Sequence, residues 1–125
     1  MKASQAARLK LRCPISLGRK HSIKIPDGWY GLVFDMCAQI EDIAQQISRK
    51  KRQRMFLPRI IFIEEQMGRI SCDVTNSNQD IADIIKAAQI DSVKRCMYCG
   101  DNGHQFRRGR YLVTCCDKHQ HGILG

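Results

Sequence analysis

Two pairs of potential metal ligands lie near the C-terminus of the chain. Two residues separate Cys96 from Cys99, and two separate Cys116 from His119. Each pair offers two ligands from one tight turn, and two such turns brought together complete a tetrahedron around Zn²⁺. Four protein ligands leave no coordination position open for water. The spacing therefore predicts one structural zinc ion and argues against a hydrolytic one.

The residues between the two pairs predict a zinc ribbon over residues 95–125. Gly100 directly follows the first pair, where a metal-binding turn needs a positive φ. Phe106 and the run 111–113 have the character of two short strands, with a turn at Gly109 between them. The predicted ribbon is too small to fold on a hydrophobic core, so the metal is expected to stabilise it.

Other residues near the pairs leave alternatives open. Cys115 continues the apolar pattern of the second strand and is interpreted as core, although it also precedes His119 at a longer spacing. His104 and His121 are alternative ligands, and Asp117 is a candidate hydrogen-bond partner for a ligating imidazole. The simplest alternative to a metal site is a set of reduced thiols on a packed face.

The elements that must position this site predict an α+β fold over residues 27–94. An apolar stripe at helical spacing indicates a first helix from Asp27, and a second helix is expected from Asn78 to about Lys94. Between them, 60–63 and 70–74 predict a β-hairpin that turns near Gly68. The stripe consists of Trp29, Leu32, Val33, Met36, Ile40, Ile43 and Ile47. The predicted order is helix, hairpin, helix, zinc ribbon, with one sheet face covered by the helices.

The net charge of +9 is concentrated in a few segments. Residues 1–26 contain seven Lys or Arg and no acid, and show little periodicity. They predict a basic N-terminal arm, partly disordered, with at most one edge strand. Residues 49–59 carry six more cations and no acid. Such clusters favour a polyanionic partner over a merely solubilising surface.

Composition limits the class of protein. A chain of 125 residues is expected to form one small core with an appended zinc module. Seven cysteines, an odd number, and the lack of a secretory signal in residues 1–26 predict a reducing compartment. No apolar run is long enough to span a membrane. We expect a soluble protein, either a monomer or a homodimer.

Five short motifs follow one another along the chain: Gly28-Trp29-Tyr30, Ile40-Glu41, Met67-Gly68-Arg69, Cys96-x2-Cys99-Gly100 and Cys116-Asp117-x-His119. Their order resembles that in a family of small proteins found in bacteriophages and prophages. The resemblance covers about residues 27–120 and leaves the basic arm outside. It implies a zinc-binding phage accessory protein in the host bacterial cytoplasm and assigns no activity.

The predicted function is binding of nucleic acid, or of host machinery that handles nucleic acid. The alternative is an inhibitor that contacts a host protein complex directly, as an anti-defence protein such as an anti-CRISPR or as a blocker of transcription or replication. Catalysis is not expected, because Cys37 and Cys72 have the character of small buried residues and not of activated nucleophiles. The candidate binding residues are Arg49, Lys50, Lys51, Arg52, Arg54, Arg107, Arg108 and Arg110.

Overall fold

The computed structural model describes residues 1–50 and 56–124, except for the side chains of residues 121–124. The fold mixes α-helices with two small β-sheets. A three-stranded sheet has the order β1-β2-β3, and β4 and β5 form a separate two-stranded sheet. The elements are α1 (Ala3–Arg12), β1 (Ser22–Lys24), a 3-10 turn (Asp27–Trp29), α2 (Tyr30–Ser48), β2 (Arg59–Gln66), β3 (Arg69–Thr75), α3 (Gln79–Ser92), β4 (His104–Arg108), β5 (Tyr111–Cys115) and α4 (Asp117–Leu124).

Helix α2 carries the predicted apolar stripe into the core. Trp29, in the turn directly before α2, and Val33 and Ile40 of α2 have no exposed surface, and they share one core cluster with Ile60 and Ile63 of β2. Spacings of four and seven residues keep these side chains on one face of the helical segment. Within the described part of the chain, no helix combines the length and apolarity needed to cross a membrane.

Strands β2 and β3 form the predicted antiparallel hairpin. Gln66 pairs with Arg69, which leaves Met67 and Gly68 as the two turn residues, with φ of 51° and 81°. Two successive positive φ values match the twist of hairpin strands, although Asn or Asp is the usual residue at the first position. Near the other end of the hairpin, the pairing register shifts and leaves Ile61 as an extra residue.

Helix α3 begins and ends close to the predicted positions. The Asn78 side chain accepts a hydrogen bond from the Ile81 backbone N–H at 2.9 Å, so Asn78 is the N-cap. Ile81 and Ala88 face the core. At the other end, the buried Ser92 hydroxyl accepts the Ile70 N–H at 3.1 Å and thereby links α3 to the start of β3.

Residues 1–26 are more ordered than the sequence predicts. They form helix α1 and strand β1, and β1 pairs in parallel with β2 as the expected edge strand. Leu9, Cys13 and Leu17 are at most 1 % exposed and belong to the same core as α2 and the hairpin. These three residues recur at intervals of four positions, which places them on one face of the segment. Burial of that apolar face offsets the conformational entropy that is lost when the basic segment becomes ordered.

The turn after α1 is fixed by a buried carboxylate of α2. Glu41 has no exposed surface and accepts hydrogen bonds from the backbone N–H groups of Ile15 and Ser16. The Ser16 hydroxyl and the Gln45 side-chain amide also donate to this carboxylate, at 3.0 and 2.6 Å. A buried carboxylate is tolerated when such donors replace water.

Candidate metal centre

The first ligand pair lies in a tight turn after α3. The Gly100 N–H donates to the Cys96 carbonyl at 2.9 Å, and the Cys96 N–H donates to the Asp101 carbonyl at 2.8 Å. Gly100 has a φ of 81°, as the sequence predicts for this position. The Tyr98 N–H points at the Cys96 sulfur, 3.4 Å away. Backbone donors around a cysteine sulfur are typical of a site prepared for a thiolate.

The second ligand pair lies where β5 passes into α4. The Cys116 carbonyl accepts hydrogen bonds from the N–H groups of His119 and Gln120, at 3.1 and 2.9 Å. These bonds form the first turn of α4, a helix that the sequence analysis did not predict. The helical turn brings His119 back towards the Cys116 side chain, so a spacing of two residues is sufficient for both to face one point.

The four predicted ligand atoms converge. All lie within 4.8 Å of one another. The Cys99 and Cys116 sulfurs are 3.7 Å apart, and the Cys96 sulfur is 3.5 Å from His119 Nδ1. Tetrahedral zinc with usual bond lengths places two sulfurs about 3.8 Å apart, and sulfur and nitrogen about 3.6 Å apart. The separation of 3.1 Å between the Cys116 sulfur and His119 Nδ1 is shorter than that ideal. The cluster could therefore bind one metal ion.

The ligand thiols differ in their readiness to ionise. Burial opposes ionisation of Cys96, but the backbone N–H groups of Cys116, Cys99 and Tyr98 outweigh it and lower the pKa of Cys96 to about 6. The N–H of Asp101 favours the Cys99 thiolate, yet partial desolvation and the neighbouring sulfurs raise the pKa of Cys99 to about 11. Two adjacent sulfurs therefore do not readily carry negative charge at the same time. A metal cation is the group that would balance it.

An aromatic side chain covers one side of the candidate centre. The Tyr98 ring stacks on the His119 imidazole, with ring centroids 5.6 Å apart and an angle of 25° between the planes. Cys96 is buried, whereas Cys99 is exposed. The stack restricts rotation of the imidazole and orients Nδ1 towards the cysteines. Sequence reasoning did not assign this role, for which the position of Tyr98 within the first pair was the available signal.

The body of the protein contacts this region at two places. The Met97 carbonyl accepts the Gly28 N–H at 2.9 Å, and the Arg95 carbonyl accepts the Trp29 indole N–H at 3.0 Å. On the other side, the Thr114 hydroxyl donates to the Gly68 carbonyl of the hairpin turn at 2.6 Å. These bonds fix the first ligand pair and β5 relative to the core.

The predicted strands between the ligand pairs are present as β4 and β5, which turn at Gly109 and Arg110. Arg107, Arg108 and Arg110 are all exposed. Because successive residues of a strand point to opposite faces, Arg107 and Arg108 do not share a face. Arg107 is on the face of Gln105, whose amide donates to the Met67 carbonyl of the hairpin at 3.3 Å. The two strand arginines therefore do not form a single patch.

The second predicted group of cations lies at the end of α2. Arg49 is the C-cap residue, and Arg49 and Lys50 are exposed. The predicted binding residues Lys51, Arg52 and Arg54 lie outside the described residues.

The alternative ligands that the structure describes are not part of the group of four converging side chains. Cys115 is fully buried on β5, as expected of a core residue, and burial together with the neighbouring Cys96 and Cys116 sulfurs raises its pKa to about 11. His104 is exposed and lies against Phe106, with ring centroids 6.4 Å apart. Asp117 is exposed in the first turn of α4. The side chain of His121 is outside the described ones.

Cys37 and Cys72, the thiols considered as nucleophiles, are poorly suited to that chemistry. Burial raises the pKa of Cys37 well above its usual value and that of Cys72 to about 12. Both side chains therefore stay protonated at neutral pH. Because the thiolate is the reactive form, they are poor nucleophiles.

The candidate centre thus rests on the geometry of its own four side chains. Comparisons of the chain with protein-family models, curated proteins and solved structures give no match.

Proposed function

We propose that residues 95–125 form a zinc ribbon in which Cys96, Cys99, Cys116 and His119 hold one structural Zn²⁺. The observation that carries this proposal is the convergence of the four ligand atoms, with separations of 3.5 and 3.7 Å that match tetrahedral bonds to zinc for two of the pairs. Three thiols and one imidazole are also a donor set that zinc prefers.

Metal analysis of the purified protein tests the zinc site. We expect one zinc per chain, and cobalt substitution should give the visible absorption of tetrahedral Co²⁺ with thiolate ligands. Cys99→Ser should reduce metal content and change the cobalt spectrum, because it removes one sulfur ligand. Cys72→Ser is the matched control, since Cys72 lies outside the ligand cluster. A metal content that Cys99→Ser leaves unchanged would contradict the proposed ligand set.

We propose further that the protein is a non-enzymatic nucleic-acid-binding module. The supporting observation is a surplus of exposed cations. Of the lysines and arginines in the described residues, Arg12 alone forms an ion pair with a carboxylate, that of Asp42. Cations that have no internal carboxylate partner are available to neutralise phosphates. The resemblance to phage proteins extends this proposal to a role within the host bacterial cytoplasm.

Binding measured as a function of salt tests this function. Fluorescence anisotropy with labelled single-stranded and double-stranded oligonucleotides should show binding at low salt that weakens steeply as salt rises. A pull-down from bacterial lysate with and without nuclease then separates the alternatives. Loss of the captured material on nuclease treatment supports nucleic acid as the ligand. A stoichiometric protein complex that survives nuclease, without oligonucleotide binding, would instead support the inhibitor.

A further inference from the structure

A basic cleft lies at the end of the β2–β3 hairpin that is remote from its turn. Its volume is about 630 Å³, which is within the range of roughly 300–1,000 Å³ typical of ligand sites. Three segments form its walls: the loop that leads into β1, the start of β2 and the end of β3. The lining residues include Arg19, Lys20, Arg59, Ile61, Thr75 and Asn76.

The charge of this cleft has one sign. Arg19, Lys20 and Arg59 line it, and none of the described residues that line it is acidic. Arg59 is half-buried and donates from one guanidinium nitrogen to the Ile15 carbonyl at 2.8 Å. A guanidinium has five N–H donors, so this bond holds Arg59 in place and leaves other donors for an anion. A fixed arginine loses little conformational entropy when it binds phosphate.

The wall of the cleft is held by side chains at the end of β3. The Thr75 hydroxyl donates to the Arg59 carbonyl at 3.3 Å, and the Asn76 amide donates to the Leu57 carbonyl at 3.2 Å. Asn76 has a φ of 54°, a left-handed conformation that Asn adopts more readily than most residues. These two hydrogen bonds connect the backbone around Arg59 to the end of β3 and hold it in position.

Apolar side chains accompany these cations. Ile61, the extra residue of the register shift in β2, lines the cleft and is 42 % exposed. Phe56, next to the lining residue Leu57, is 62 % exposed. Cations beside exposed apolar and aromatic side chains suit a single strand of nucleic acid, because the cations can contact its phosphates while the apolar and aromatic side chains contact its base faces. In a duplex the base faces are stacked on each other.

From this combination we propose that the cleft binds the phosphate backbone of single-stranded nucleic acid, with Arg59 as its oriented anchor and Arg19 and Lys20 as further phosphate contacts. This inference rests on the proposed nucleic-acid-binding function and names its site. The sequence analysis named contacts at the end of α2 and on the ribbon, and it expected the basic residues 1–26 to favour a polyanion. It did not bring Arg19 and Arg59 together in one site.

Anisotropy with a labelled oligothymidylate, titrated at several salt concentrations, tests the cleft. The test variant is Arg19→Gln with Lys20→Gln, two exposed positions whose replacement leaves the core intact. The matched control is Arg69→Gln with Lys86→Gln, which removes the same charge from exposed positions. Arg69 starts β3, about 20 Å along the strand from Thr75. A third variant, Arg59→Lys, keeps the charge and loses the guanidinium.

We expect the cleft variant to weaken binding about tenfold or more. It should also reduce the slope of log K against log salt by about 1.4, because each lost single-strand phosphate contact contributes about 0.7. The control variant should bind like the wild type, and Arg59→Lys should weaken binding without unfolding the protein.

Two results would overturn the inference, and they differ from each other. If the wild type binds and the cleft variant matches the control, the site is wrong while the proposed function stands. A variant with Arg107, Arg108 and Arg110 all changed to Gln would then identify the ribbon as the site. If the wild type does not bind oligonucleotides even at low salt, the proposed function fails and the cleft proposal fails with it.

Discussion

Glu41 shows how one polar side chain orders the basic N-terminal segment. Its carboxylate is an acceptor at both oxygens, and the groups around it are all donors, from Ile15, Ser16 and Gln45. We predict that Glu41→Gln destabilises the protein by about 2–4 kcal/mol, because an amide turns a donor towards donors in a buried site. Urea unfolding measures the loss, and hydrogen exchange should show reduced protection at Ser16.

The neighbouring carboxylate provides the control for this prediction. Asp42 pairs with Arg12 at 3.0 Å, but its side chain is 63 % exposed. Asp42→Asn should therefore cost less than about 1 kcal/mol. Equal losses for the two variants would show that the Glu41 contacts do not anchor the segment.

At the scale of elements, close approach of two backbones fixes the first ligand pair against the turn before α2. A Cβ on Gly28 would lie 2.3 Å from the Cys96 carbonyl oxygen and 2.8 Å from the Gly100 nitrogen. Backbone atoms cannot give way as a flexible side chain can. We predict that Gly28→Ala displaces the turn and weakens zinc binding about tenfold or more, as measured by competition with a chromogenic chelator.

Gly31 is the matched control for Gly28. It lies three residues further along, in the first turn of α2, and a Cβ there meets no atom within 4 Å. Gly31→Ala should leave zinc affinity unchanged and raise the free energy of unfolding by up to about 1 kcal/mol, because Ala is the better helix former. Equal zinc affinities for the two variants would mean that the contact does not position the ligands.

Sequence patterns predicted the elements whose signal is local. The stripe from Trp29 to Ile47 determines α2, and Asn78 determines the start of α3 through its own side-chain oxygen. The convergence of the four candidate ligands was also predictable, because the spacing within each pair reflects turn geometry that needs no distant partner. Gly68 and Gly100 marked turns for the same reason.

The remaining features depend on contacts between distant segments. Leu9, Cys13 and Leu17 are spaced like a helical face, but the density of cations around them concealed this pattern. The partner that fixes their segment, Glu41, looks in sequence like a solvent-facing residue of α2. The basic cleft was not predictable either, because it joins Arg19 and Arg59, which are brought together by the parallel pairing of β1 with β2.

At the scale of the whole molecule, the candidate metal region is not an independent appendage. The core cluster extends from Leu9 through α2 and the hairpin to Ala88, and the ligand-bearing turns are bonded to this body on two sides. Metal binding at this centre would therefore stabilise the body as well, through the Trp29 and Thr114 contacts. An appended module on a flexible linker would lack this coupling.

Metal removal measures this coupling directly. If zinc binds the folded state as proposed, free zinc at a thousand times its dissociation constant should stabilise the protein by about 4 kcal/mol, and chelation should remove that stabilisation. The sole tryptophan reports the event, because the Trp29 indole donates to the residue directly before Cys96. We predict that chelation lowers the unfolding midpoint and changes Trp29 fluorescence in parallel, and that added zinc, but not magnesium, reverses both. Metal loss that leaves Trp29 fluorescence and the midpoint unchanged would show that the candidate metal region and the body fold separately.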